Sequence, residues 1–263
     1  MGEAKRKEQL TLETERSREK RRKIFEDTRG TTVGFAIKTG DKLQIFGSGV
    51  VVDRQGIVLT ARHVMEKIVA DTTVANVKNT QLGISVLVAK EVKLIDKGKQ
   101  QYQIQLSYHI CGVGEHFWAR DYDLATVEIQ HSHVTDFKTM RMDFDMNILE
   151  GDEVAACGYP YGTMYYGGKN ILSSFLCGYV SAVVPHPKMP LVARQHYLVQ
   201  IPVNPGNSGG PVFDPETGKL IGIVSRGYAP SGVSAGVAII ESIHHARSMI
   251  NEVKNKIASR KNS

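Results

Sequence analysis

A serine stands in a tight glycine turn at Gly206-Asn207-Ser208-Gly209-Gly210-Pro211, between two apolar runs that read as strands. A serine hydroxyl is a weak nucleophile until a base takes its proton and hydrogen-bond donors stabilise the oxyanion that follows. Glycines on either side let the backbone turn sharply and aim its N–H groups at one point. The segment therefore offers a nucleophile together with an oxyanion-binding turn, Gly206, Asn207 and Ser208, with the Gly206 and Ser208 N–H groups as donors. Taken alone, the same string also fits a plain glycine-rich hairpin.

Two upstream positions supply the remaining chemistry. Gly47 to His63 reads as a hairpin, two β-branched runs joined by a turn around Asp53 to Gly56, with His63 just past the second strand. Further on, Asp121-Tyr122-Asp123-Leu124-Ala125 heads another apolar run, and both aspartates share one strand face if that strand starts early. Each of these residues alone is most simply a surface histidine or a loop-ending aspartate. Their order is the informative part. Histidine, aspartate, serine is the order of chymotrypsin-type proteases, whereas α/β-hydrolases and subtilisins use others.

On these segments, and on Gly151 to Pro160 and Leu220 to Gly227, the chain resembles the trypsin/chymotrypsin-fold serine proteases, closer to the HtrA/Deg branch than to the digestive enzymes. The likeness covers about residues 30–250. It implies an endopeptidase acting on a polypeptide substrate. Ser208 attacks the scissile carbonyl, His63 takes and returns the proton, and Asp123 holds the imidazole. Asp123 is preferred to Asp121 because it directly precedes the Leu-Ala pair that the family carries after its aspartate. Ser225 matches the serine that supports the buried carboxylate, beside the edge on which substrate lies as an added strand. Pro202 falls at the floor of the specificity pocket, with Arg226, Gly227, Tyr228 and Gly236 as walls, so a small or medium apolar side chain is expected before the cleaved bond.

Three departures from the digestive pattern matter. Asn207 replaces the aspartate that pairs with a new N-terminal ammonium, so activation by cleavage is not expected. The loop Tyr161 to Gly168 becomes the candidate regulatory element. Val58 and Asn204 stand where disulfide-bonded relatives carry cysteine, and the three cysteines, Cys111, Cys157 and Cys177, are an odd count. Cys157 and Cys177 lie in apolar runs and read as small buried hydrophobes, which points to a reducing compartment. Residues 1–25 have no apolar stretch long enough for a signal peptide, so a cytoplasmic location without membrane contact is expected. The reading from a different class is a protease-fold peptide-binding or scaffold module whose triad is misaligned, regulated or silent.

Charge follows location. The formal net charge is +6, of which residues 1–25 carry +4 and residues 251–263 carry +3, leaving the body at −1. The basic character belongs to the ends and not to a groove, which argues against nucleic acid. The N-terminal arm is a candidate contact for an acidic partner. His131, His133, His244 and His245 lack a matching Cys, His or carboxylate spacing, so no metal and no other cofactor is expected.

The elements that must position these groups are mostly strands. Short alternating runs such as Thr32–Lys38, Gln103–Tyr108 and Tyr197–Val203, with 25 glycines and nine prolines, predict an all-β body. The expected fold is two packed six-stranded antiparallel β-barrels. The divisions are a solvated helical or disordered arm over 1–28, a first barrel over 29–140 and a second over 141–237. A C-terminal helix over 238–258 and a basic tail over 259–263 complete the chain. Ile239, Ile243, Ala246, Ile250, Val253 and Ile257 recur at steps of four and three, an apolar stripe expected to pack on the second barrel. A coiled-coil dimer is the lesser alternative, since three heptads are short. Only a short basic tail follows where multi-domain HtrA enzymes carry a PDZ domain.

Overall fold

The structure is a computed structural model and describes residues 2–39, 42–78, 83–96, 102–134, 136–161, 172–185, 195–228 and 236–261. Twelve strands among the described residues form two closed antiparallel barrels of six. The first comprises β1 (Thr32–Thr39), β2 (Lys42–Asp53), β3 (Ile57–Thr60), β4 (Gly83–Asp96), β5 (Tyr102–Trp118) and β6 (Ala125–Gln130), in the order β1-β2-β3-β6-β5-β4. The second comprises β7 (Glu153–Gly158), β8 (Ser174–Pro185), β9 (Gln195–Val199), β10 (Pro211–Phe213), β11 (Leu220–Tyr228) and β12 (Val237–Ser242), in the order β10-β11-β12-β9-β8-β7. Closure removes free sheet edges except where a strand outruns its neighbour. Inward residues such as Val51, Val58 and Val127 fill the first barrel, and Val154, Val199 and Ile240 fill the second; all are buried.

Three helices depart from expectation. Helix α1 (Gly2–Thr31) is longer than the expected arm, and its last turns are not solvated. Phe25 packs its ring 4.7 Å from Phe175 and 5.5 Å from Phe213, while the helix also lies against β2 and β4. Arg21 pairs with Glu153 at the start of β7, so the arm is held to both barrels. Helix α2 (Arg62–Lys78) follows β3 directly, where only a strand end was expected. Val64, Met65 and Ile68 are its buried face, and Arg62 reaches Glu66 one turn on at 3.2 Å.

The C-terminal helix is corrected at its start and in its partner. Residues 237–242 form β12, because the second barrel needs a sixth strand between β11 and β9. A 3-10 turn (Ile243–His245), capped by Ser242, then leads into α3 (Ala246–Lys261). Its stripe of Ala246, Met249, Ile250, Val253 and Ile257 packs on β3, β5 and β6 of the first barrel, not on the second. Two ion pairs clamp it there, Lys254 to Asp53 at 2.7 Å and Arg260 to Glu128 through both carboxylate oxygens at 2.6 and 2.9 Å.

Burial is the largest single influence and pushes the Asp53 and Glu128 carboxyls up, but the hydrogen bonds and charge of Lys254 and Arg260, together with the Gln55 N–H on Asp53 and the Glu115 N–H and Gln130 amide on Glu128, bring both below their ordinary values. A depressed carboxyl adds stability above its unfolded pKa, about 4 for these groups, and loses it as pH falls through the lower folded value. Helix α3 is therefore expected to loosen from the first barrel as pH drops below about 4. Amide hydrogen exchange compared at pH 6 and pH 3.5 checks this, with α3 protection falling before that of β2 and β3. Equal loss in all three regions would disprove it.

The cysteines divide unevenly. All three are free; Cys111 and Cys157 are buried, but Cys177 is exposed because it occupies the outward face of β8. The expectation of a buried Cys177 fails on strand alternation: the apolar run carries both faces, and only one faces the core. Among the described residues no helix is long and apolar enough to cross a membrane. Nor does any group of three His, Cys, Asp or Glu side chains among them have metal-binding geometry.

Candidate active site

The cleft between the barrels collects residues from four elements. His63 sits in the first turn of α2, immediately after β3, where the chain leaves the first barrel. Asp123 lies just before β6, the strand paired to β3, so the ladder brings the two side by side across 60 positions of sequence. His63 Nδ1 is 2.8 Å from Asp123 Oδ2, and the His63 backbone N–H donates to Asp123 Oδ1 at 3.0 Å. Ser225, on β11 of the other barrel, donates its hydroxyl to Asp123 Oδ2 at 2.6 Å. Asp121 is exposed, and among the described residues it is Asp123, not Asp121, that forms the hydrogen bonds to His63.

These partners set the electrostatics. Burial pushes the Asp123 carboxyl up, yet the hydrogen bonds from His63 and Ser225, with the charge of His63, bring it below its ordinary value. The carboxylate stays ionised at neutral pH. It holds the imidazole at two points, ring and backbone. The ring itself is about half exposed, at 46%, and so faces the cleft.

The serine turn is fixed by backbone contacts that tolerate no side chain. Gly209 has φ of 84°, and a Cβ there would lie 2.0 Å from the Ser48 carbonyl; Gly206 has φ of 97°, with a Cβ 2.2 Å from the Tyr159 carbonyl. Within the turn, Asn207 N–H donates to Asn204 O, Gly209 N–H to Val224 O and Gly210 N–H to Asn207 O. The Gly206 and Ser208 N–H groups donate to no acceptor among the described residues, although Gly206 is buried and Ser208 half-buried. Buried N–H groups are nearly always paired, so these two open donors, on either side of Asn207, are available to an acceptor from outside. The Ser208 hydroxyl donates to Ser225 O at 3.1 Å and not to His63.

Ser48 was missed in the sequence as a site residue. Wholly buried on β2, it donates its hydroxyl to Gly206 O at 2.6 Å, accepts Tyr159 N–H at 3.0 Å, and gives its own N–H to Ser208 O at 2.7 Å. A first-barrel residue thus stitches both ends of the serine turn. The signal was a serine between two glycines in an otherwise apolar strand, where a polar side chain must find buried partners.

The expected pocket residues are partly brought together. Arg226, Gly227 and Tyr228 are the exposed end of β11. Gly227 faces Val203, whose Cγ2 lies 3.4 Å from where a glycine Cβ would be; Pro202 next to it points to solvent. Val203, unnoticed in the sequence, is the apolar side chain beside Gly227, and Pro202 is exposed rather than buried. Gly236, with φ of 69°, has open space where a Cβ would point. Of the expected regulatory loop only Tyr161 is described; it adopts φ of 54° and donates its hydroxyl to Asn204 Oδ1 at 2.7 Å. Residues 162–168 lie outside the described residues.

Known proteins resemble this chain in sequence and in fold. The chain is 29% identical over 191 residues to Protease Do-like 1, chloroplastic, of Arabidopsis thaliana, covering 73% of this chain and 35% of that protein. It is 27% identical over 216 residues to a probable periplasmic serine endoprotease DegP-like of Hahella chejuensis, covering 81% of this chain and 36% of the relative. The chain thus spans about a third of the length of these curated relatives. Among solved structures, Deg5 superposes with a TM-score of 0.58 at 18% identity, over 87% of this chain and 91% of that one. The HtrA-type protease AlgW with a decapeptide gives 0.59 at 18%, over 89% and 67%. At such identities these two show the fold alone. A family model, the trypsin-like peptidase domain, matches residues 47–223, two thirds of the chain. With that match over two thirds of the chain, a span that includes His63, Asp123 and Ser208, the chain belongs to the trypsin-like peptidase domain family.

Proposed function

We propose that the chain is a serine endopeptidase that cleaves polypeptides through an acyl-enzyme, with Ser208 as nucleophile, His63 as general base and acid, and Asp123 as the carboxylate that orients it. The observation that carries this reading is the meeting of His63 Nδ1 with the ionised Asp123 beside a serine turn with two open N–H donors. In the first step Ser208 Oγ bonds to the scissile carbonyl carbon while its proton passes to His63 Nε2. The oxyanion accepts from Gly206 and Ser208 N–H, which are oriented before substrate arrives. Collapse breaks the C–N bond, and His63 delivers the proton to the leaving amine. Water then enters by the same route and releases the acid.

The hydrogen bond from Ser208 to Ser225 O supports a regulated resting state. A substrate laid along β11 offers a backbone N–H to that same carbonyl, which frees the serine hydroxyl to turn toward His63. On this account the triad is quiet until a peptide docks. The three free thiols favour a reducing compartment such as the cytoplasm, and the exposed basic turns of α1 suit an acidic partner.

The test is covalent. A fluorophosphonate probe on the intact protein is expected to label Ser208, located by peptide mass spectrometry, and more quickly when a non-cleavable peptide is present. Absence of label in either condition would leave the silent binding module as the correct reading.

A further inference from the structure

The free edge of β11 carries information about substrate that neither the triad nor the expected pocket contains. Strand β12 borders β11 from Gly222 to Tyr228, but β10 covers its other edge only from Leu220 to Ile223. The serine turn takes the next position, since Gly209 N–H and Gly210 O both bond to Val224. From Ser225 onward that edge has no strand partner among the described residues. Burial changes at the same place: the strand is buried through Ser225, and Arg226, Gly227 and Tyr228 are exposed. Ser225 O points to the open edge, because it accepts the Ser208 hydroxyl. The β11–β12 ladder bulges between Val224 and Arg226, which is why Val224 and Ser225 both face the open edge; beyond the bulge backbone groups alternate, so those of Gly227 face the same way as Ser225 O and those of Arg226 face β12.

A peptide added antiparallel here has its register set by two points. Its scissile carbonyl must reach Ser208, and the N–H of the residue before the cleaved bond (P1) takes Ser225 O. The next residue toward the substrate N-terminus (P2) then lies across from Arg226, and the third lies across from Gly227. Residues directly opposite in an antiparallel pair put their side chains on the same face, with Cβ atoms about 5 Å apart. The P2 side chain therefore stands beside the Arg226 guanidinium.

That guanidinium is exposed and makes no ion pair or hydrogen bond among the described residues. It is charged at every working pH. On the facing barrel Arg120, three residues before Asp123, is likewise exposed; its carbonyl accepts from Arg62, the residue before His63. Asp121 beside it is the nearest acid in sequence and is also exposed. Asp123 is occupied by His63 and Ser225 and offers Arg226 nothing further.

We infer that Arg226 makes this a peptidase for segments with aspartate or glutamate at P2, selecting by charge one position before the apolar P1 residue. The inference rests on the serine-peptidase reading above. An ion pair at a half-exposed site is modest, but the comparison of acid with base adds repulsion to attraction. The expected preference for Asp or Glu over Lys or Arg at P2 is about tenfold in kcat/KM, shrinking in high salt as charges are screened.

The experiment is a cleavage profile of the full chain on a proteome-derived peptide library, read by mass spectrometry, for the natural protein and for Arg226→Glu. Enrichment of acidic P2 residues that turns into enrichment of Lys and Arg in the variant supports the inference. A merely structural role for Arg226 would lower cleavage without inverting the profile. Cleavage with fluorophosphonate labelling but a P2 profile unchanged by the substitution overturns this inference and leaves the peptidase standing. With neither cleavage nor labelling, both fall together.

Discussion

Ser208→Ala is expected to lower turnover by about 10⁶ while leaving the fold in place. The alanine removes one oxygen from a half-buried position whose hydroxyl bonds only to Ser225 O. The turn keeps its shape because backbone contacts hold it: Ser48 N–H on Ser208 O, Gly209 N–H on Val224 O and Gly210 N–H on Asn207 O. Thermal unfolding should therefore move little. Turnover falls because the oxygen that forms the acyl bond is gone; the residual rate comes from the open N–H pair acting on attack by water. The measurement is a progress curve on an unfolded protein substrate at matched concentrations, with the unfolding midpoint taken on the same samples. A variant within a hundredfold of the natural protein would show that another nucleophile carries the reaction.

Asp123→Asn is expected to cost about 10⁴ in kcat with a small change in KM. The natural carboxylate accepts from the His63 ring, the His63 backbone and Ser225 at once, four contacts that need acceptor oxygens. An amide supplies one oxygen and one donating nitrogen. If the oxygen keeps the His63 backbone N–H, the amide nitrogen meets the ring and forces Nδ1 to become an acceptor. The proton then sits on Nε2, where it cannot receive one from Ser208. The loss is one of tautomer and not of position, so substrate affinity is largely retained. Steady-state kinetics on a single peptide separates the two effects. A kcat reduced less than tenfold would exclude Asp123 as the orienting acid.

The comparison of sequence with structure is sharpest at the helices. The stripe from Ile239 to Ile257 has helical spacing throughout, yet its first member lies on β12. A four-residue step fits a helix and, across a strand end and turn, fits other paths equally well. What decides is the vacancy between β11 and β9, which residues 237–242 fill through pairs to both. The first turns of α2 carried a signal in Val64, Met65 and Ile68, overlooked beside the strand pattern before it. The arm read as solvated because, beyond Met1 and Ala4, its first 25 residues hold just four apolar side chains, Leu10, Leu12, Ile24 and Phe25. Two of those four suffice, since Phe25 finds Phe175 and Phe213.

The residues on which the proposed chemistry rests were legible along the chain, because a serine in a glycine turn, a histidine and an aspartate are matters of residue type and local backbone freedom. The sequence by itself also determined the two barrels, because alternation and turn residues act over a few positions. Only the tertiary structure decided which partner each group has: Ser48 under the serine turn, Val203 across from Gly227, α3 on the first barrel, Ser208 resting on Ser225. Such contacts join residues that lie far apart along the chain, as Ser48 and Gly206 do across 158 positions. Nothing local encodes them; they exist once both barrels have closed and each buried donor has had to find its acceptor.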